Sequence, residues 1–238
     1  MTQPRHGLRR VLPLPCAAVR ETPGGRRERK KHQTAVALHE AALKLFAQNG
    51  FAETTVEEIA DEVDVSARTF FRYFSSKESV IYADEGERRE TWVAALHARP
   101  HDEPVLESVR EASLVLATHY SPKKDFFRWE LAAKHPSVLS AALAVNSRWE
   151  HDIALEVADR LGLPSKFDLT ARTLAAASMG AWRAAQVDWY HAKAKTPLAG
   201  HIRRSYAVLT DLGALMPSPQ VLDVRDPKES IAAVRKSR

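Results

Sequence analysis

Residues 55–78 read TVEEIADEVDVSARTFFRYFSSKE, and this stretch decides the fold. Thr55 and Glu58 have capping-box spacing: the Thr55 hydroxyl meets the Glu58 amide, and the Glu58 carboxylate returns a bond to the Thr55 amide. Val56, Ile59, Ala60 and Val63 then give a short helix one apolar face. Ser66 is a second N-cap and opens another short helix through Phe74. At 100° per residue Ala67, Phe70 and Phe74 fall on one side of that helix and Arg68 and Arg72 on the other, with Thr69 and Phe71 on the flanks. Upstream, Leu38, Ala42, Leu45 and Phe46 recur at helical spacing up to a stop at Asn49 and Gly50. There Gly50 takes the left-handed conformation and Phe51 folds back onto the last turn. A longer helix followed by two short ones across a tight turn is a helix-turn-helix unit.

The chemistry of this segment suits a major groove. Arginine bonds guanine bidentately, which assigns Arg68 and Arg72 to base edges, while the Phe71 ring or the Thr69 methyl packs on thymine methyls. Thr69, Tyr73 and the Thr55 hydroxyl reach phosphates and fix register. A third helix start, Ser75 to Glu78, leads into a long amphipathic helix to about Arg99. Lys77 in its first turn opposes the macrodipole at a cost of roughly 0.3–1 kcal/mol. A phosphate at that end reverses the sign, because helix amides and ammonium then share one anion; the other reading is a solvated cation beside Glu78. The formal net charge is only +5, but it is concentrated in Arg26, Arg27, Arg29, Lys30 and Lys31. This cluster is either a solvated arm or a phosphate and minor-groove contact, and the reader behind it favours the second.

The run strongly resembles the DNA-binding signature of the TetR family of bacterial transcriptional regulators. Val65, Ser66, Thr69, Phe70, Tyr73, Phe74, Ser76, Lys77 and Glu78 stand at the family's positions, with Ala67 among them on the DNA-binding helix, and the likeness extends back through Leu45 and Phe46, Gly50 and Phe51, and Thr54 and Thr55, covering about residues 27–82. The resemblance implies an all-α homodimer binding a double-stranded palindromic operator, a long helix linking the reader to a ligand-binding core, dimerisation through the last two long helices, and more often a repressor than an activator. It also implies phosphate contact at Lys77. Two departures stand out. Asp64 replaces the common turn glycine, and aspartate tolerates the left-handed region better than most residues. Arg68 replaces a frequent small residue, which predicts an added guanine contact.

Beyond the reader the pattern stays helical, with strand signals nearly absent. Pro100 and Pro104 mark a break, and helices follow at about 104–119, 123–134, 137–162, 166–192 and 197–215. The expected fold is therefore all-α: a three-helix N-terminal reader joined by a long helix to a C-terminal bundle, about nine helices in all. The expected organisation is a disordered extension over 1–25, the reader over 26–75, a ligand-binding and dimerisation domain over 76–216, and a flexible tail over 217–238 with a short helix near 228–235. Cys16 is the sole cysteine, which excludes an internal disulfide framework and a CxxC metal site and fits a reducing cytoplasm. Residues 11–19 superficially resemble a signal peptide, but Pro13 and Pro15 argue against it. No apolar run approaches the ~20 residues that span a bilayer.

In the C-terminal part Phe126, Trp129, Trp149, Met179 and Trp182 are candidates to line a pocket for a small-molecule effector, the alternative being plain core packing. His119, Arg128, His135, Arg148, His151, Arg172 and Arg183 scatter basic groups through the same helices, and any that point inward suit an acidic or acyl-thioester ligand. Small residues at Ala175, Ala176, Ala177, Gly180, Ala184 and Ala185, with Leu198, Ile202, Tyr206, Leu209, Leu212 and Leu215 on the next helix, offer either a dimer face or a tight internal crossing; the dimer is favoured. No HExxH, GxSxG, P-loop or GxGxxG motif is present, so neither enzyme chemistry, a metal nor a cofactor is expected. The competing function is a helical ligand-binding or interaction protein that has lost DNA binding.

Overall fold

A computed structural model describes residues 25–165 and 167–211, without the side chains of residues 26–28. The N-terminal extension with Cys16, the tail from 217 with the short helix expected near 228–235, and Leu212 and Leu215 lie outside the described residues. Within them the chain forms nine α-helices, one four-residue 3-10 helix and no strand, the all-α fold that the periodicity predicts. It divides into two compact units, Met1–Tyr73 and Phe74–Arg238.

The first unit holds α1 (Arg26–Asn49), α2 (Val56–Asp61) and α3 (Ala67–Tyr73). Leu38, Ala42 and Phe46 of α1 are buried, as their spacing requires. Gly50 ends the helix at φ 94° and ψ 153°, a positive-φ extended conformation beyond the left-handed helical region and open essentially to glycine alone. Its amide donates to the Phe46 carbonyl, and the Phe51 ring folds back edge-on to Phe46 at 5.0 Å. The capping box forms as read: the Glu58 amide donates to Thr55 Oγ1 at 3.1 Å and the Thr55 amide to Glu58 Oε2 at 2.7 Å. Between α2 and α3 the chain turns on Asp64 at φ 54°, and the Val65 amide donates back to the Ala60 carbonyl at 3.0 Å. A side chain in this region is strained by up to about 1–2 kcal/mol. Asp64→Gly is therefore expected to raise the unfolding midpoint in urea by an amount equivalent to roughly 0.5–1 kcal/mol.

In the second unit the residues from Ser75 to Arg99 do not form one helix. Ser76 and Ser79 close a local turn by exchanging amide-to-hydroxyl bonds at 3.1 and 3.2 Å. A 3-10 helix over Ser79–Tyr82 follows, and α4 begins only at Glu85 and runs to His97. Serine hydroxyls competing for backbone amides are the reason, since they offer the chain an alternative to the helical ladder. Lys77 thus sits in a turn and not in the first turn of a long helix, which removes the macrodipole argument made for it. The remaining elements are α5 (Val105–Ala117), α6 (Pro122–Lys134), α7 (Pro136–Arg160), α8 (Leu169–His191) and α9 (Leu198–Thr210). The helix ends read at 104–119, 123–134, 137–162 and 166–192 and the start read at 197 lie within three residues of the observed ends; the end read at 215 lies outside the described residues.

The core of this unit joins α4, α5, α7, α8 and α9 around Trp92, Val109, Val157, Met179, Trp189 and Ile202. Ala175, Ala185, Leu198, Ile202 and Tyr206 are all buried within this unit, where α8 packs on both α7 and α9. Buried inside one chain, they cannot also form the face of a dimer. The small side chains let these helices approach, and the leucine, isoleucine and tyrosine fill the seam.

Candidate functional site

Helix α3 is held from behind and open in front. Phe70 is fully buried, and Phe71, stacked edge-on against it at 5.5 Å, is 54% exposed. Arg68 and Arg72 are exposed, while Ala67 and Thr69 are half-buried. Ser66 caps the helix by accepting from the Thr69 amide at 3.2 Å, and its hydroxyl also meets the Thr69 hydroxyl at 3.1 Å. The helix start is thereby fixed by side chains that themselves lie next to the arginines. Arg72 reaches the Tyr73 hydroxyl at 3.5 Å and lies 5.2 Å from its ring centroid. That bond, with further help from Thr34 and the charge of Arg72 and Lys31, lowers the Tyr73 hydroxyl below its ordinary value against a smaller effect of burial. Of the basic cluster, Arg29 and Lys30 are exposed on α1; the Arg26 and Arg27 side chains are outside what is described. Thr55 is exposed at the head of α2, and Lys77 is half-buried at the start of the second unit. Phe74, read as the last residue of the recognition helix, is buried but lies one residue beyond it.

The second unit encloses a cavity of about 210 Å³ between α4, α5, α6, α7 and α8. Trp129, Trp149, Met179 and Trp182 line it, as the sequence suggests. Phe126 does not: its ring is stacked at 4.9 Å on Tyr190, outside the lining. Composition missed the rest of the wall, above all Trp92, Tyr120 and a cluster of charges at one end. Trp92 and Trp149 meet edge-on at 5.9 Å, and Tyr120 and Trp182 at 5.5 Å.

The charged end joins the start of α4 to α6. Arg88 donates to Asp125 at 2.6 Å and pairs with Asp84 at 3.2 Å. Arg128 reaches Asp84 at 2.6 Å and Asp125 at 3.2 Å, and Lys124 approaches Asp84 at 3.4 Å. The Arg88 guanidinium also lies 4.2 Å from the Tyr120 ring centroid, close enough for a cation–π contact. Burial alone pushes Asp84 upward, but Arg128 and Arg88 outweigh it and hold the carboxyl well below the usual carboxylate range. Burial raises Tyr82 to about 12. Of the seven basic residues singled out in this half, Arg128 alone is buried; Arg183 borders the cavity but is exposed.

Glu85, the first residue of α4, faces the same cavity. It accepts one bond, from Trp149 Nε1 at 2.8 Å, and among the described residues no cation forms an ion pair with it. Burial raises its carboxyl above the ordinary value, against the opposing pull of Arg88 and the Trp149 bond. A carboxyl raised by folding destabilises the native state wherever it is ionised in the unfolded chain, and that penalty fades as pH falls toward the unfolded value near 4.5. Glu85→Gln is accordingly expected to raise the thermal midpoint at pH 8, with the difference from wild type shrinking toward pH 4. A series of melts across that range measures it.

Residues 38–83 match the family model for bacterial regulatory proteins of the tetR family, and residues 103–212 match that of the MftR C-terminal domain. The HTH-type transcriptional regulator TcmR of Streptomyces glaucescens is 31% identical over 183 residues, 73% of this chain and 81% of that protein. The regulator RutR of Escherichia coli (strain K12) is 31% identical over 118 residues, 48% of this chain and 56% of its own length. In three dimensions FadR of Thermus thermophilus, a TetR-family transcriptional repressor solved in complex with lauroyl-CoA, superposes with a TM-score of 0.53 at 22% identity, covering 78% of this chain and 97% of that one. A helix-turn-helix reader ahead of a helical unit with a cavity defines a DNA-binding transcriptional regulator. The chain belongs to the TetR family, and its relatives' names indicate a regulatory rather than a catalytic role.

Proposed function

We propose that the protein is a ligand-responsive repressor that binds a palindromic operator as a homodimer in the cytoplasm. The observation that carries the reading is the front of α3, where Arg68, Phe71 and Arg72 are exposed on a helix anchored by the buried Phe70. A protein that had given up DNA binding has no use for two arginines and a half-bare phenylalanine side by side. Thr55, Ser66, Ala67, Thr69 and Tyr73 are assigned to the surrounding backbone contacts, with Arg26, Arg27, Arg29 and Lys30 following the adjacent phosphates. The repressor sense draws on FadR of Thermus thermophilus, which is named as one. Among the described residues no helix is long and apolar enough to cross a membrane.

For the dimer, α8 retains an outward stripe that the internal crossing does not use: Ala176, Gly180 and Ala184 at four-residue spacing, with open space around Gly180. On α9 the exposed Ala207 and Val208 are available to the same partner. A two-fold pair sets two recognition helices on half-sites about one DNA turn apart. The cavity is the effector site, and a ligand acts by favouring one of two arrangements of the ion cluster that ties α4 to α6.

Electrophoretic shift against the DNA upstream of its own gene tests the reading. A discrete, competitor-resistant complex is expected, and the absence of specific binding at any salt concentration rejects it. Lys77, assigned to a phosphate by its place in the family signature, gives a separate check. Lys77→Ala is expected to weaken binding evenly across operator variants and to reduce the salt slope of log K by about 1.

A further inference from the structure

We propose that the cavity selects an organic cation, a protonated amine carried on a flat apolar body, with the ammonium seated at Glu85 and the body between the indoles. The inference deepens the effector reading and rests on it.

Three observations converge. First, Trp92, Trp129, Trp149 and Trp182 all line one cavity. Indole faces carry negative quadrupole density, so such a wall attracts a cation as well as an apolar ring and repels an anion. Second, the positive charge at the polar end is already committed. Arg88 and Arg128 each contact both Asp84 and Asp125, so the charge that an entering carboxylate or phosphate would meet is already shared with two carboxylates. Third, Glu85 faces the cavity with a single neutral partner, the Trp149 indole N–H. A carboxylate accepts several hydrogen bonds, and its remaining lone pairs are directed where a ligand sits.

The balance of charge therefore reverses the expectation drawn from scattered histidines and arginines, which pointed to an acidic or acyl-thioester ligand. The inward arginines are paired with Asp84 and Asp125, and the cavity-facing group without an ion pair among the described residues is acidic. The raised carboxyl of Glu85 agrees with this: burial makes its charge costly, and an ammonium ion placed beside it relieves that cost. A glutamate kept at the expense of stability marks a site reserved for a ligand.

The test uses the full-length protein and three probes of matched shape: 1-naphthylmethylamine as the cation, 1-naphthalenemethanol as the neutral form and 1-naphthoate as the anion. Tryptophan quenching and calorimetry at pH 7.5 give the affinities for wild type and for Glu85→Gln, whose folding is checked by circular dichroism. The expected order is amine, then alcohol, then carboxylate, with the amine at least about tenfold ahead of the alcohol. In Glu85→Gln that preference collapses to near unity, because the amide keeps an acceptor for Trp149 but loses the charge. Equal binding of amine and alcohol, preference for the carboxylate, or a preference that survives in Glu85→Gln overturns the inference and leaves the cavity as an effector site. If none of the three probes binds, the effector reading of the cavity falls together with it.

Discussion

Arg88→Ala is expected to destabilise the second unit by about 3–5 kcal/mol, the largest stability effect of any single polar substitution in the chain. All five tryptophans lie in that unit, so urea unfolding followed by their fluorescence reports on it directly. The cost comes from what remains. Arg88 is 6% exposed and contacts Asp125, itself 2% exposed, at 2.6 Å. Without the guanidinium, Asp125 keeps Arg128 at 3.2 Å and the Ser121 amide at 2.7 Å, but Asp84 and Asp125 are left to share one buried arginine, with only the more exposed Lys124 beside it. Removing both partners in Arg88→Met with Asp125→Leu should recover more than half of the loss, since apolar groups of similar volume need no compensation. Acid adds a second reading of the same cluster. Asp84 has a folded value below its unfolded one near 3.8. Its contribution is therefore complete above that value and is lost only as pH falls through the lower folded one. Wild type should hold this part of its stability down to about pH 4, whereas Arg88→Ala, with one of the three cations around Asp84 removed, loses it at a higher pH.

The reader was legible because its determinants are local. Thr55 with Glu58, Ser66 with Thr69, and Asp64 at the turn each act within five residues, and each forms as its chemistry predicts. Where the sequence reading failed, the deciding partner was distant or a local competitor was overlooked. Ser75 to Glu78 has the look of a helix opening, yet the Ser76 and Ser79 hydroxyls serve each other's amides and delay the helix to Glu85. Asp84 with Arg88 and Asp125 with Arg128 are readable as helical pairs, but their joining across 37 and 44 residues of chain has no signature in either segment. Phe126 and Trp129 share a helix, an aromatic character and a stack on Tyr190, at 4.9 and 5.9 Å, yet Trp129 lines the cavity and Phe126 does not. Leu198, Ile202 and Tyr206 have the spacing of a helix seam, which is the same for a partner inside the chain and one outside it.

Replacing Arg68 and Arg72 together by alanine is expected to weaken operator binding by about 2–6 kcal/mol, roughly 30-fold to 10⁴-fold, at one or more guanines in each half-site. Both side chains are exposed, so the thermal midpoint should stay within the small range typical of surface substitutions, about 0.5 kcal/mol. That pairing of outcomes is what separates reading from folding. Phe70→Ala also abolishes binding, but by emptying a fully buried site behind α3 at about 3–5 kcal/mol of stability. Arg68→Ala alone carries the sharper consequence, because the family signature usually has a small residue there. It should relax discrimination at one base pair while leaving affinity for the relaxed sequence nearly unchanged, which selection from a randomised operator library measures. Wild-type affinity and specificity in the double variant would mean that the exposed face of α3 is not the reader. The operator would then be read by a different surface of the chain, and the exposure of Arg68, Phe71 and Arg72 would require another partner.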